Sequence, residues 1–219
     1  DTASEVGAGV LIPTVSEELV HVAEERCVFD VPVVIGSAES VTAAGDKYLT
    51  MQSLESHGVP IPWFDLPTRY ASAVAVIQAA GGSVVVKPRV SRGARGVVVI
   101  DPETAGSEAV ARFWDGLDDT VLVQRFAPGR EFAPVTFRSS LSDTGLCIVL
   151  EKTALREGRV GNAVGVRRPP LDDPQVEAVA DVAREAGLAL ELTGPADVDV
   201  RLREDGMPVV LEVNARFGA

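Results

Sequence analysis

Cysteine, histidine and aromatic residues are scarce in this sequence of 219 residues. Two cysteines, Cys27 and Cys147, are too few for the disulfide framework of a small secreted protein, and they favour a reducing compartment. The two histidines do not combine with these cysteines at the spacing of zinc ligands. A disulfide scaffold and a zinc site are therefore excluded.

Long hydrophobic runs and an excess of positive charge are also absent. No segment approaches the ~20 apolar residues that a membrane-spanning helix needs, and no signal peptide is apparent. The net charge is −12, whereas proteins that bind nucleic acid or anionic membranes present a basic surface. With 46% hydrophobic and 24% charged residues, the composition is that of a globular protein. We expect a cytoplasmic location, with neither nucleic acid nor a membrane as partner.

Lysine is rare among the basic residues. Only Lys47, Lys87 and Lys152 are lysines among the 20 basic residues, and the others are arginine. The compact lysine ammonium suits a single phosphate oxygen, whereas the arginine guanidinium is a wide planar fork. We therefore expect these lysines at positions where arginine is not acceptable.

The first 45 residues have a β-α-β pattern. Short strands are predicted at 10–12 and 33–35, with a helix over 16–25 between them, an alternation typical of a parallel sheet. This is too short for a domain, so we expect residues 1–45 to be the C-terminal remnant of an α/β domain, in a chain with both ends trimmed.

The remaining sequence mixes helices and strands and predicts an α+β fold. Helices are predicted over 46–57, 70–80, 107–115 and 175–186, and strands over 84–86, 97–100, 121–124, 132–137 and 146–152. A final hairpin is predicted over 197–213.

The final hairpin is the most informative segment. Asp205-Gly206 is a strong two-residue turn signal. If the turn is centred there, the facing apolar pairs are Val198 with Val213, Val200 with Leu211 and Leu202 with Val209. On the other face Asp199 lies opposite Glu212, and Asp197 opposite Asn214. Two like charges opposite each other are destabilising, and two carboxylates with an amide oxygen are ligands that Mg²⁺ or Mn²⁺ prefers. The alternative is a solvated polar face with Arg201 nearby to reduce the repulsion.

Two further segments suit a nucleotide. Lys87 ends a β-branched strand, and the loop 91–96 after it carries glycines and arginines that could fold over phosphates. Residues 124–131 form a strand, a Pro-Gly bend and Glu131, which offer backbone for an adenine edge and a carboxylate for ribose hydroxyls. The alternatives are a surface hairpin loop and a plain strand-turn-strand.

Taken together, these motifs resemble the ATP-grasp superfamily, most closely its carbamoyl-phosphate-synthase-like ligases, over about residues 46–216. The matching segments are Asp46-Lys47, Gly58-Val59-Pro60, Val86-Lys87-Pro88-Arg89, Ser91 to Gly96, Val123-Gln124-Arg125-Phe126, Pro128-Gly129-Arg130-Glu131, Gly194 to Asp199 and Glu212-Val213-Asn214-Ala215-Arg216. The sequence departs from the family at Gln124, where relatives often have Glu, and it lacks the usual helical segment after the last motif. Position 199 varies in the family.

The resemblance implies a role for each matching residue. The catalytic residues would be Lys87 and Arg216. The ATP-binding residues would be Lys47, Lys87, Ser91, Arg92, Gly93, Gln124, Arg125, Phe126 and Glu131. The metal ligands would be Asp199, Glu212 and Asn214, and residues bordering the substrate would be Lys152, Arg156 and Arg167, for which solvated strand and loop charges are the alternative.

The resemblance also implies a fold and an activity. Two α+β lobes, about 46–115 and 116–219, would clasp ATP with Mg²⁺ or Mn²⁺, after the end of a pre-ATP-grasp domain. A small-molecule carboxylate would be phosphorylated to an acylphosphate and joined to an amine through a C–N bond. A carboxylase or carbamoyl-phosphate-synthase-type domain that activates bicarbonate and a non-catalytic ATP-binding module are the alternatives. A homodimer is left open.

Overall fold

The computed structural model describes residues 5–91, 93–139, 145–156, 158–170 and 172–218. The helices are α1 (Leu19–Glu24), α2 (Ala38–Gly45), α3 (Lys47–Ser56), α4 (Ala73–Ala80), α5 (Glu108–Asp115) and α6 (Gln175–Ala189), with 3₁₀ turns at Arg26–Val28 and Pro67–Arg69. The strands are β1 (Phe64–Asp65), β2 (Val84–Pro88), β3 (Val98–Ile100), β4 (Val121–Arg125), β5 (Glu131–Phe132), β6 (Val135–Arg138), β7 (Gly145–Ile148), β8 (Glu151–Leu155), β9 (Ala163–Arg167), β10 (Gly194–Leu202) and β11 (Pro208–Asn214).

A four-stranded antiparallel sheet has the order β1-β4-β2-β3. Helices α4 and α5 pack on it through a core that includes Val76, Val84, Ile100 and Trp114. The predicted lobe boundary near residue 115 would separate β4 from this sheet. Strand β4 pairs with β2 along its whole length.

The second sheet is seven-stranded and antiparallel, with the order β7-β6-β10-β5-β8-β9. Strand β11 pairs with β10 from Asp197 to Leu202. Helices α2, α3 and α6 contact β11, and the larger core includes Met51, Leu54, Phe132, Val179 and Val198. Two predicted strands are each divided: 132–137 becomes β5 and β6, and 146–152 becomes β7 and β8. Strand β9 was not predicted.

The N-terminal segment retains little of the predicted β-α-β unit. Its two strands are reduced to one parallel bridge between Leu11 and Val33, since Val10 and Ile12 beside it are almost half exposed and have no sheet to pack on. Helix α2 was not predicted. It begins where Ser37 Oγ accepts the N–H of Ser40 at 3.1 Å, which is an ordinary N-cap.

Helix α3 begins at its predicted cap. The Asp46 carboxylate accepts the backbone N–H of Tyr48 at 2.9 Å, and it pairs with Arg89 Nη2 at 2.6 Å. This arrangement satisfies the free N–H groups at the helix start. It also connects α3 to the chain that follows β2.

The hairpin β10–β11 has the predicted register only in part. Asp197 faces Asn214, Val198 faces Val213 and Asp199 faces Glu212, as predicted. The register then shifts by one residue, so that Val200 faces Val210 and Leu202 faces Pro208. This irregularity leaves Leu211 without a facing residue, as in a β-bulge.

Candidate active site

Residues from both sheets line one cavity of about 660 Å³. It brings together residues that lie far apart in the sequence. The predicted site residues that line it are Lys47, Lys87, Ser91, Gly93, Gln124, Arg125, Phe126, Glu131, Lys152, Arg156, Asp199, Glu212, Asn214 and Arg216. Arg92 lies outside the described residues.

Arg167 does not line this cavity, contrary to the expectation that it borders the substrate. Its Nε donates to Glu151 Oε2 at 2.8 Å, and the two residues face each other across β8 and β9. Because neighbouring residues of a strand point to opposite faces, Glu151 and Arg167 point away from the cavity that Lys152 lines. Arg130 completes this ion pair cluster from the other side, with Nε 2.8 Å from Glu151 Oε1.

Lys87 is buried in the wall of the cavity. Strand β2 presents it between the two sheets, where Nζ donates to Gln124 Oε1 at 2.9 Å and to the Leu211 carbonyl at 3.0 Å. The second contact is made to the bulged residue of β11. Burial lowers the pKa of Lys87 from 10.5 to about 8, although the Glu212 carboxylate opposes the shift. The ammonium therefore lacks a full counter-charge, which an anionic ligand would supply.

Lys47 connects the start of α3 to the glycine loop and to β11. Its Nζ donates to the Ser91 carbonyl at 3.0 Å and lies 3.3 Å from Glu212 Oε1. The side chain is 5% exposed. It therefore lies between the predicted phosphate loop and a predicted metal ligand.

Lys152 lies between two carboxylates. Its Nζ is 2.6 Å from Asp199 Oδ1 and 2.8 Å from Glu131 Oε1. Burial lowers the pKa of Lys152, but the charges of Asp199 and Glu131 outweigh it, so the pKa is raised. Lys152 is therefore a charged group that connects the predicted ribose and metal ligands.

The segment expected to meet the adenine edge, residues 124–127, is called the hinge below. Its Arg125 and Phe126 donate their backbone N–H groups to the residues just before β1 and β2. Arg125 N donates to the Trp63 carbonyl and Phe126 N to the Ser83 carbonyl, both at 2.8 Å. These two N–H groups therefore already have hydrogen-bond acceptors within the protein. The next residue, Ala127, also lines the cavity, and its carbonyl accepts a hydrogen bond from Arg201 Nη1 at 3.1 Å.

The predicted metal ligands are neighbours on β10 and β11. Asp199 and Glu212 face each other, and each has one oxygen paired with a lysine, Lys152 or Lys47. In the part of the chain that the structure describes, no three His, Cys, Asp or Glu side chains form a metal cluster. The predicted set instead combines two carboxylates with the Asn214 amide.

Asp197 lies on the same strand as Asp199 and faces Asn214. Burial is the main reason that the pKa of Asp197 is raised to about 6, and the charge of Asp199 adds to the shift. The carboxylates and the Asn214 amide offer the oxygen donors that Mg²⁺ and Mn²⁺ take, so the residues present fit either ion.

Arg216 lies at the same end of the cavity as Asp197. The distance between Arg216 Nη1 and Asp197 Oδ2 is 3.9 Å. Its Nε donates to Ser16 Oγ at 2.9 Å. The N-terminal segment thus supports a residue of the last motif. Nη1 also donates to the Phe217 carbonyl at 2.7 Å, so only the ion pair with Asp197 is long.

Sequence reasoning gave no role in the site to three polar residues of the cavity, Asp197, Arg201 and Asn162. Asp197 and Arg201 were recognised only as members of a polar strand face. An added Cβ at Gly93 would lie 3.5 Å from Asn162 Nδ2, so the glycine loop meets the turn between β8 and β9. Period-two alternation from Asp199 places Arg201 on the same face and could have identified it.

A comparison with protein families matches the model of the ATP-grasp domain to residues 44–219. The chain belongs to the ATP-grasp family. This confirms the family expected from the sequence motifs. The ATP-grasp chain is also 30% identical to a D-alanine–D-alanine ligase from Gloeobacter violaceus, over 84% of this chain and 63% of that protein.

Solved structures confirm the ATP-grasp fold with its α+β composition. The L-amino acid ligase from Bacillus licheniformis matches with a TM-score of 0.70 at 23% identity, over 100% of this chain and 51% of that one. Biotin carboxylase from Campylobacter jejuni matches with a TM-score of 0.77 at 18% identity, over 99% and 51%. The ATP-grasp chain spans between 30% and 63% of the length of the curated relatives it matches.

Proposed function

We propose that the protein is an ATP-dependent ligase that joins a small-molecule carboxylate to an amine through an acylphosphate, with release of ADP and phosphate. The observation that carries this proposal is the convergence of the separate ATP-grasp motifs on one cavity. The similarity to a D-alanine–D-alanine ligase supports it. Substrates and the activity of the whole protein belong to this proposal, because the chain spans only part of its relatives.

We place the nucleotide with its adenosine at the hinge. The adenine edge would pair with the main chain at Phe126 and Ala127, through groups other than the Phe126 N–H, which already donates to the Ser83 carbonyl. Glu131 would accept hydrogen bonds from the ribose hydroxyls. Gln124 would act indirectly, by holding the Lys87 ammonium in place.

The phosphates would lie against Lys47 and Lys87, under the loop that contains Ser91, Arg92 and Gly93. Phosphoryl transfer depends on positioning and on neutralising charge. A buried ammonium without a full counter-charge is suited to this, since a phosphate oxygen would replace the solvation that Lys87 has lost.

The metal would be held by Asp199, Glu212 and Asn214. When bound there, Mg²⁺ or Mn²⁺ would neutralise phosphate charge and align the γ-phosphate for attack. Lys152 and Lys47 each pair with one of these carboxylates and orient it. Arg216 would stabilise the transferring phosphoryl group, and Arg156 lines the same cavity and would contact substrate.

The reaction class can be tested with purified protein, Mg-ATP and pools of amino acids, with phosphate release and product mass as readouts. A ligase forms ADP and phosphate only when one carboxylate and one amine are both present. Glu212→Gln should abolish turnover, while Glu108→Gln on exposed α5 serves as the matched control. Absence of any carboxylate- and amine-dependent turnover would contradict the proposal.

The alternative activities give different outcomes in the same assay. ATP hydrolysis that depends on bicarbonate would indicate the carboxylase or carbamoyl-phosphate-synthase type, which the similarity to biotin carboxylase keeps under consideration. Tight ATP binding with no turnover would indicate a non-catalytic binding module. The presence of Asp199, Glu212, Asn214 and Arg216 together in one cavity favours catalysis.

We also propose the domain division and the cellular setting. Residues 1–45 would be the end of a pre-ATP-grasp domain, followed by a small lobe to about residue 125 and a large lobe beyond it. Over the residues that the structure describes, no helix has both the length and the apolar character to cross a bilayer. A cytoplasmic location and a homodimer are proposals to be tested by fractionation and light scattering.

A further inference from the structure

Arg201 is a buried cation on the cavity face of β10. The side chain is 8% exposed, which is rare for arginine unless its donors are all used. The guanidinium makes three hydrogen bonds to three separate segments of the chain. The role of Arg201 therefore depends on the function of the three segments that it connects.

The three acceptors surround the adenosine end of the cavity. Arg201 Nε donates to Glu131 Oε2 at 2.6 Å. Nη1 donates to the Ala127 carbonyl at 3.1 Å, and Nη2 to the Arg159 carbonyl at 2.6 Å. These acceptors belong to β5, the hinge, and the turn between β8 and β9.

The Arg201 guanidinium also packs against the aromatic ring of Phe126 in the hinge. The Arg201 guanidinium carbon lies 5.0 Å from the centroid of the Phe126 ring, and that of Arg159 lies 4.5 Å from it. Arg159 in turn pairs with Asp101 at 2.8 Å, at the end of β3. Arg201 thus fixes the hinge ring and the hinge carbonyl with one planar group.

Glu131 is oriented from both sides. It faces Arg201 on β10 and Lys152 on β8 in the sheet register, and each cation binds a different carboxylate oxygen. The carboxylate plane is therefore fixed before any ligand arrives. A carboxylate fixed in this way gains ribose hydrogen bonds without first losing rotamer freedom.

We propose that Arg201 is the positioning residue of the adenosine site, which fixes the Glu131 carboxylate relative to the Phe126–Ala127 hinge. This inference rests on the proposed nucleotide binding, but concerns a residue outside the matching motif roles. Arg201 itself need not contact the nucleotide. Lysine cannot replace it, because an ammonium does not present the three donors in one rigid plane.

The test compares a ligand that has the adenosine with one that lacks it. Calorimetric titration of wild type, Arg201→Lys, Arg201→Met and Arg138→Met with Mg-ADP and with Mg-tripolyphosphate gives the dissociation constants. Arg138→Met is the matched control, since Arg138 also lies on a strand of the large sheet and donates to a backbone carbonyl, that of Leu192, but does not line the cavity. Thermal unfolding checks that each variant is folded.

We expect both Arg201 variants to bind Mg-ADP about tenfold or more weakly, the loss typical of one charge-assisted hydrogen bond, and tripolyphosphate with little change. Arg138→Met should change neither. If Arg201→Met does not fold, Arg201→Lys carries the test, because it retains the buried charge. Unchanged ADP affinity, or equal weakening for both ligands, would overturn the inference. If wild type binds neither ligand, the proposed function itself fails.

A second readout isolates the ribose contact. Wild type should bind ATP more tightly than 2′,3′-dideoxy-ATP, because Glu131 would lose its hydroxyl partners. In Arg201→Lys this preference should be reduced, since the carboxylate is no longer fixed. An undiminished preference in the variant would contradict the positioning role even if the overall affinity had fallen.

Discussion

The Nζ atom of Lys152 lies 2.6 Å from Oδ1 of Asp199 and connects it to Glu131, 2.8 Å away on the other side. One cation thus pairs with two carboxylates from different parts of the proposed nucleotide site, and Glu131 has a second cationic partner in Arg201. All three side chains are at most 27% exposed. Because breaking a buried ion pair leaves uncompensated charge, this contact has consequences for stability as well as for binding.

The first prediction concerns Lys152→Met. The substitution removes the lysine partner of Asp199 and leaves Glu131 paired with Arg201 alone, so the free energy of unfolding should fall by about 3–5 kcal/mol. Urea denaturation monitored by circular dichroism measures this. Arg112→Met is the control, because Arg112 and Glu108 are paired but 73% and 84% exposed, and its effect should stay below about 1 kcal/mol. Similar losses in both variants would contradict the prediction.

The second prediction is a pH dependence of ATP binding from Lys87. The pKa of Lys87 is lowered to about 8, and phosphate charge would raise it in the complex. Binding should therefore take up protons near pH 8, and the affinity for Mg-ATP should weaken up to about tenfold between pH 8 and 9.

Calorimetry in buffers with different ionisation enthalpies measures this proton uptake directly. Lys87→Met has no group to protonate, so its weaker binding should show no uptake from this residue. Proton uptake of the same size in the variant would assign the effect to another group. Absence of uptake in wild type would show that Lys87 is already charged at pH 8.

The third prediction concerns acid stability. Hydrogen bonds from Arg130 and Arg167 lower the pKa of Glu151 from 4.5 to about 2. Since the folded-state pKa lies below the unfolded value, the stabilisation is complete above pH 4.5 and is lost as the pH falls towards 2. Glu151→Gln should therefore be less stable than wild type at pH 7, and the difference should shrink between pH 4.5 and 2.

Urea midpoints at pH 7, 4 and 3 test this dependence, with Glu108→Gln as the exposed control. A difference in stability between Glu151→Gln and wild type that does not vary with pH would contradict the assigned pKa.

A fourth prediction concerns Arg167, the other partner of Glu151. Arg167→Met should leave the affinity for Mg-ATP unchanged, because Arg167 does not line the cavity and is 58% exposed. Calorimetry measures this affinity, and a loss in the variant would restore Arg167 as a substrate residue.

The sequence was informative where a local pattern determines the structure. The Asp205-Gly206 turn and alternation correctly placed Asp199 opposite Glu212, and the Asp46 cap correctly started α3. The predicted register is wrong from Val200 onward, because Leu211 is bulged. The bulge lets the Leu211 carbonyl accept a hydrogen bond from Lys87, 124 residues earlier in the chain. No short-range pattern contains that contact.

The pairing of cations with carboxylates in the site also depends on contacts between distant segments of the chain. In the alternative of a solvated polar face, Arg201 would reduce the repulsion between Asp199 and Glu212, but its Nε binds Glu131 instead. The lysines Lys152 and Lys47 pair with the two carboxylates. Which cation meets which carboxylate depends on the strand order β11-β10-β5-β8, and strand order cannot be obtained from alternation alone.

The last prediction concerns Gly129 at the bend after the hinge. A Cβ added there would lie 2.5 Å from the Leu202 carbonyl oxygen and 2.9 Å from Leu202 Cβ, while Gly129 N donates to the same carbonyl. Gly129→Ala must therefore separate the bend from β10, at a cost of about 1–3 kcal/mol in unfolding free energy.

Gly106→Ala is the matched control, because an added Cβ at Gly106 meets nothing within 4 Å. Displacing the bend also moves Ala127 relative to Arg201, which donates to its carbonyl. The affinity of Gly129→Ala for Mg-ADP should therefore fall, while that for tripolyphosphate changes little. Urea denaturation and calorimetry of both variants test this, and equal stability of the two would show that β10 accommodates the methyl group without displacing the hinge.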